Sequence, residues 1–100
     1  MNEISDVHRN GIHGFVSLKT ESKQIGMMTL EFSDKNNKLL IDRTEVIDEF
    51  KGRGYGKMLV AKVIEFAREN RYILVPYCPF ASKVLNETPE YSGTFELPQG

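Results

Sequence analysis

Three glycines alternate with basic and aromatic residues in segment 51–57, which reads Lys-Gly-Arg-Gly-Tyr-Gly-Lys. The segment follows a predicted strand and begins a predicted helix, where the first backbone N–H groups have no partner inside the helix. Those groups, together with the positive end of the helix dipole, attract anions. Glycine lets a phosphate approach the backbone closely, and the charges of Lys51, Arg53 and Lys57 favour it further. The pattern therefore predicts a pyrophosphate site.

Two common phosphate-binding motifs do not match this segment. The P-loop of ATP- and GTP-binding proteins has four residues between its first glycine and a Gly-Lys pair, which Ser or Thr follows. Here three residues separate Gly52 from Gly56, and Met58 follows Lys57. The dinucleotide-binding fingerprint requires a small residue at the position of Leu59 and an acidic residue at the end of the next strand. The sequence has neither, so both readings fail.

Cys78 and Glu45 are the other residues with chemistry of their own. Cys78 is the only cysteine, which excludes an intramolecular disulfide. It lies between a predicted strand and a predicted helix, where sheets with parallel strands bind ligands and where the helix dipole favours a thiolate. The alternative is a small buried apolar side chain. Glu45 is polar within an apolar strand, and it is either a general base or a solvent-facing partner of Arg43.

Composition narrows the classes of partner. The formal net charge is −1 with both signs interspersed, so we expect neither nucleic acid nor an anionic membrane as a partner. The apolar run 73–81 is short and contains two prolines, and we expect no membrane span. His8 and His13 lack a ligand spacing suited to a metal and are predicted to be surface residues, so no metal site is expected. The single cysteine suits a reducing cytoplasm, where we expect the protein.

Alternation of apolar and polar residues predicts the strands before the glycine-rich segment. Strands over 14–20 and 25–32 are joined by a polar turn into an antiparallel hairpin. A third strand is predicted over 39–47, because the segment is apolar and rich in β-branched residues apart from three charges. One hundred residues with 40% hydrophobic content are enough for one domain, which we expect over 1–100.

A change of period predicts the elements after that strand. An apolar stripe opposite charged residues indicates an amphipathic helix over 54–70, with Asn70 as its left-handed cap. A short strand over 72–75 follows and completes a parallel crossover unit. Pro79 fits the first turn of a second helix, and residues 94–97 are predicted to form a last edge strand. We therefore expect an α/β fold of the α+β type, in two or three layers, with a mixed, mainly antiparallel sheet and two helices.

The glycine-rich segment resembles the acetyl-CoA signature Gln/Arg-x-x-Gly-x-Gly/Ala of the GNAT superfamily of N-acetyltransferases, with lysine at the first position. The matching residues are Lys51, Gly52, Arg53, Gly54, Tyr55 and Gly56, and Lys57 follows them. Residues 44–46, Thr-Glu-Val, and 76–79, Pro-Tyr-Cys-Pro, are similar to a very short GNAT subgroup with a cysteine at this place. The resemblance covers about residues 15–91 and identifies the chain as a single GNAT-like domain.

The resemblance implies a cofactor and an activity. In the GNAT fold the strand before the loop and the strand after the helix splay apart. The pantetheine arm of acetyl-CoA lies in the gap, on backbone groups that correspond to Val46 and Ile47, and the pyrophosphate lies on residues 53–57. The implied reaction transfers the acetyl group to an amine that the sequence does not identify. Near the thioester, Cys78 would protonate the leaving thiolate or accept the acetyl group, and Glu45 would act as a base through water.

Two departures from the family pattern leave alternatives open. The subgroup tends to have His where this chain has Arg43, and the N-terminal helical region that helps form the acceptor site in ordinary GNATs has no counterpart in this sequence. A CoA-binding interaction module without turnover is therefore an alternative, as is an interaction domain whose glycines serve only a turn. We expect a monomer or a weak dimer.

Overall fold

Five strands and two helices make up the part of the chain that the structure describes, residues 3–99 of a computed structural model. The strands are β1 (Ile4–Asn10), β2 (His13–Lys19), β3 (Gln24–Ser33), β4 (Lys38–Val46) and β5 (Ile73–Pro76). The helices are α1 (Tyr55–Asn70) and α2 (Pro79–Glu87), and 3₁₀ turns lie at Asp34–Asn36, Asp48–Phe50 and Pro89–Tyr91.

One sheet contains all five strands, in the order β1-β2-β3-β4-β5. The first four strands are antiparallel neighbours, and β5 lies parallel to β4 because α1 carries the chain back along the sheet. The mixed, mainly antiparallel sheet and the crossover unit that the sequence predicts are confirmed.

Both helices pack on the same face of the sheet and form one core with it. Every second residue of β2, β3 and the first part of β4 faces the helices and is fully buried, including Val16, Leu18, Met28, Leu30, Leu39 and Ile41. From the helices, Leu59, Val63 and Leu85 complete this core. Because the other face of the sheet has no helix within residues 3–99, the fold has two layers rather than three.

The N-terminal strand β1 was not predicted from the sequence. It pairs with β2 from Ile4 opposite Lys19 to Asn10 opposite His13, and most of its side chains are exposed. An exposed edge strand has no need of alternating apolar residues, so the periodicity that reveals β2 and β3 is missing here.

A polar cluster fastens β1 to the rest of the fold. Arg9 bonds to Asp34 at 2.5 Å, and its guanidinium lies 4.1 Å from the centre of the Phe32 ring. The Tyr72 hydroxyl donates to Asp34 Oδ1 at 2.5 Å. The hydrogen bonds from Arg9 and Tyr72 lower the pKa of the Asp34 carboxyl. The cluster thus joins β1, the turn after β3 and the segment between α1 and β5.

Two predictions need correction, one about the cap of α1 and one about the last strand. Asn70 is the last helical residue of α1, and Arg71 is the residue in the left-handed conformation, with φ of 61° and its N–H bonded to Ala67 O. The strand predicted over 94–97 is reduced to one isolated bridge between Phe95 and Leu74. Among residues 3–99, neither helix has the length and apolar character needed to cross a membrane.

Candidate functional site

The parallel strands β4 and β5 separate halfway along β4. Their pairing runs from Lys38 opposite Ile73 to Ile41 opposite Pro76, whereas β4 continues to Val46. The Ile41 carbonyl accepts the N–H groups of Tyr77, at 2.9 Å, and of Cys78, at 3.1 Å. Beyond this point, no pairing joins residues 42–46 to β5 in the described part of the chain. The strands therefore splay apart and leave a gap.

A β-bulge at the start of the gap changes which side chains of β4 face the helices. Arg43 pairs with Thr29 and Ile41 pairs with Leu30, so Asp42 is an extra residue in β4. Burial, and to a lesser extent the nearby Glu31, raise the pKa of the Asp42 carboxyl.

Beyond the bulge, Thr44 and Val46 face the helices and Glu45 faces outward. The Ile47 N–H donates to Ile25 O at 2.8 Å, and hydrogen-bonded positions alternate along an antiparallel pair. The backbone N–H and C=O groups of Thr44 and Val46 therefore point away from β3 and into the gap. Ile47 also accepts the Phe50 N–H at 2.8 Å, so both of its backbone groups are already bonded within the chain.

The glycine-rich loop supports an anion site at the N-terminus of α1. Gly52 and Gly54 have φ of 78° and 84°, and a Cβ added at either would meet nothing within 4 Å. These positions require glycine because of the backbone conformation, not because of crowding. Gly54 is the N-cap, no side chain caps the helix, and no acidic residue lies in its first turn. The N–H groups of residues 55–57 are thus suited to a phosphate.

The basic side chains around the loop differ in whether they already form an ion pair. Lys51 forms an ion pair with Asp48 at 2.9 Å. That hydrogen bond raises the pKa of Lys51 and lowers the pKa of Asp48. The Arg53 guanidinium lies 6.0 Å from the centre of the Phe50 ring. Arg53 and Lys57 form no ion pair with any residue from 3 to 99, so their charge is available to a bound anion.

One cleft of about 450 Å³ connects the loop with the gap between β4 and β5. Its lining includes Thr44, Val46, Phe50, Gly54, Gly56 and Phe80. We call it the cofactor cleft. A second cleft of about 540 Å³ lies along the outer side of β4 and is lined by Met27, Glu45 and Ile47. We call it the outer cleft. Thr44, Val46 and Lys51 border both clefts.

Cys78 lies behind Thr44, at the N-cap of α2. Its thiol donates to Thr44 Oγ1 with a sulfur–oxygen distance of 3.4 Å, and only 6% of the residue is exposed. Pro79 occupies the first position of α2, as the sequence predicts. The thiol is therefore held beside the cofactor cleft through a side chain that lines it.

The structure brings together some of the residues singled out in the sequence and separates others. Lys51, Gly52, Gly54, Tyr55, Gly56, Lys57 and Val46 line the cofactor cleft. Ile47 lines only the outer cleft. Glu45 also lies there, on the other face of the sheet from Cys78, with a 66% exposed side chain that bonds to Arg43 at 3.3 Å.

Three residues of the cleft were missed by sequence reasoning. They are Thr44, Phe50 and Phe80, whose side chains are of ordinary type. A signal was available for Phe80, since it follows Cys78 and Pro79 in the first turn of a short helix. For Thr44 the bulge decides which face its side chain occupies, and the sequence does not reveal the bulge.

The model of the GCN5-related N-acetyl-transferase family matches residues 15–94, and the chain belongs to that family. A GCN5-like protein from Staphylococcus aureus, solved by NMR in solution, has 30% sequence identity and a TM-score of 0.66. The match covers 94% of this chain and 90% of that one. No curated protein sequence matches the chain.

Two larger acetyltransferases share the fold. Nourseothricin acetyltransferase has 26% identity and a TM-score of 0.54, over 63% of this chain and 38% of that protein. A ribosomal-protein-alanine N-acetyltransferase from Brucella melitensis biovar Abortus 2308 has 15% identity and a TM-score of 0.61, over 76% of this chain and 62% of that protein. The chain thus spans less than two thirds of the length of either one.

Proposed function

We propose that this protein transfers an acetyl group from acetyl-CoA to an amine. The observation that carries the proposal is the cofactor cleft, which joins three features in one space. These are the uncapped N-terminus of α1, the unpaired edge of β4 and the Cys78–Thr44 pair. They suit, in that order, a pyrophosphate, an amide-containing arm and a thioester. Family membership supports the same reading.

Backbone groups of the chain bind most of the cofactor in this proposal. The N–H groups of residues 55–57 hold the pyrophosphate, and Arg53 and Lys57 add positive charge. Thr44 and Val46 offer their backbone groups to the amides of the pantetheine arm. Ile47 has no such part, because its N–H and C=O are bonded to Ile25 and Phe50. Bound acetyl-CoA supplies an activated acetyl group as its thioester.

Cys78 acts as the general acid. Its sulfur holds a proton in the hydrogen bond to Thr44 Oγ1, and the pair lies beside the gap into which the thioester extends. When the amine nitrogen bonds to the acetyl carbon and the carbon–sulfur bond breaks, the Cys78 proton passes to the leaving sulfur. The amine gives up one proton, and Cys78 regains one from solvent. The competing role, in which the Cys78 sulfur itself accepts the acetyl group, would leave an acetylated protein.

Glu45 receives the proton of the amine through water. It lines the outer cleft, which shares Thr44 and Val46 with the cofactor cleft. An acceptor that approaches from the open face of the sheet passes this carboxylate before it reaches the gap. The high exposure of Glu45 makes a bridging water readily available.

Cofactor binding followed by turnover tests the proposal. Acetyl-CoA or CoA at about 100 times its dissociation constant stabilises the fold by about 2.7 kcal/mol, and ATP gives no such shift. Release of the CoA thiol is then followed across a panel of small amines, lysine peptides and free peptide N-termini. Saturable binding without thiol release would instead define a CoA-binding module that does not catalyse. The absence of any shift at millimolar acetyl-CoA would refute the cofactor site itself.

A further inference from the structure

The ring of Phe80 lies against Gly56 and connects the first turns of the two helices. A Cβ added to Gly56 would lie 2.6 Å from Phe80 Cζ and 2.8 Å from Cε2. Real Cβ atoms do not approach other atoms so closely, so a larger residue at position 56 would displace the ring. Unlike Gly52 and Gly54, Gly56 does not have a positive φ. A Cβ at position 56 would therefore act on the ring of Phe80 and not on the conformation of the loop.

Phe80 also presents apolar surface to the cofactor cleft. It lies two residues after Cys78, it lines the cleft, and it is 40% exposed. The same cleft is lined by the loop of the anion site and by Thr44, whose hydroxyl accepts the Cys78 thiol. An aromatic ring in such a cleft suits a ligand that carries apolar groups beside its polar ones, as the methyl and methylene groups of a pantetheine arm do beside its amides.

We infer that Phe80 is a binding residue for the pantetheine arm, and that Gly56 holds the ring at the depth which the arm requires. The inference rests on the proposed function, since it assigns a side chain to one part of that cofactor. It gives the third glycine of the loop a role although its backbone conformation is ordinary. It also separates the loop into Gly52 and Gly54, which shape the anion site, and Gly56, which serves the arm.

Two ligands distinguish this role from a general effect on the cleft. Acetyl-CoA has the arm, whereas 3′-phospho-ADP has the same nucleotide and pyrophosphate without it. We expect Phe80→Ala to weaken acetyl-CoA binding about tenfold, which is about 1.4 kcal/mol. Its affinity for 3′-phospho-ADP should stay within about twofold of wild type. Phe80→Leu keeps apolar bulk and should recover part of the loss. Met58→Ala, at a half-exposed apolar position of α1, should change neither affinity.

A double-mutant cycle tests the part played by Gly56. Gly56→Ala alone should weaken acetyl-CoA binding by displacing the ring, and it should add little in the Phe80→Ala background, where the clash is gone. Additive losses, or equal losses for both ligands, would overturn the inference. A Phe80→Ala protein with wild-type affinity for acetyl-CoA would also overturn the inference. The proposed function would stand in that case. If wild type binds neither ligand, the proposed function fails and this inference fails with it.

Discussion

Gly54 offers the sharpest test of the anion site, because its replacement by alanine changes backbone preference and almost nothing else. The residue has φ of 84°, and an added Cβ would meet no atom within 4 Å. The left-handed conformation is less favourable for alanine than for glycine by about 1–2 kcal/mol. If the exposed loop relaxes to another conformation, the bound ligand must restore the original one. The dissociation constant for acetyl-CoA should then rise by about 5–30-fold.

Gly93 provides a matched control that does not line the cofactor cleft. It has the same φ of 84° and the same open surroundings. Its neighbour Thr94 is held on both sides, since its N–H donates to Tyr91 O at 3.1 Å and its carbonyl accepts the Leu74 N–H at 3.0 Å. Gly93→Ala should therefore lower the melting temperature, by about 4–8 °C for each kcal/mol in a domain of this size. Its affinity for acetyl-CoA should be unchanged.

Calorimetric titration and thermal unfolding of the two variants and wild type complete the comparison. Weakened binding in Gly54→Ala alone supports the loop as the pyrophosphate site. An unchanged dissociation constant in Gly54→Ala would refute the reasoning, because the orientation of the loop N–H groups would then be irrelevant to binding. Equal losses of affinity in both variants would show that ligand binding is weakened by destabilisation of the fold and not by a change in the loop.

Three further predictions concern the other side chains. Cys78→Ala should lower kcat by about a hundredfold with the KM for acetyl-CoA unchanged. Thr44→Val should lower kcat less. An acetyl adduct on wild-type Cys78 in mass spectra would show that Cys78 acts as a nucleophile and not as a general acid. Glu45→Gln should lower kcat without affecting cofactor binding. A wild-type rate in this variant would exclude Glu45 as the base. Asp34→Asn should lower the melting temperature at neutral pH. Because the folded-state pKa of Asp34 is lowered, that difference should be constant above the ordinary value of 3.8 and shrink as the pH falls below it; a pH-independent difference would contradict this account.

Sequence patterns predicted the features that depend on residues close together in the chain. The apolar stripe of α1, the hairpin of β2 and β3 and the start of α2 at Pro79 all follow from local periodicity and turn chemistry. Gly52 and Gly54 belong to the same group, because a positive φ is a local demand. The position of the loop before α1 was therefore predictable.

Local patterns could not predict which face of the sheet each side chain of β4 occupies. A single extra residue at Asp42 moves every later side chain to the other face of the sheet. It sends Thr44 toward Cys78 and Glu45 toward solvent, so two neighbouring residues lie in different clefts. The bulge results from pairing with β3, which is a contact between distant parts of the chain.

Sequence alone determined the local elements and the loop that begins α1, because helix periodicity, strand alternation and glycine conformation depend on near neighbours. Tertiary structure alone decided that the polar segment of β1 is a strand and that Ile47 has no free backbone group. It also placed Phe80 against Gly56. Each of these depends on which groups pair or pack in the folded chain. The contacts of Ile47 with Ile25 and of Phe80 with Gly56 form only when the sheet and helices come together.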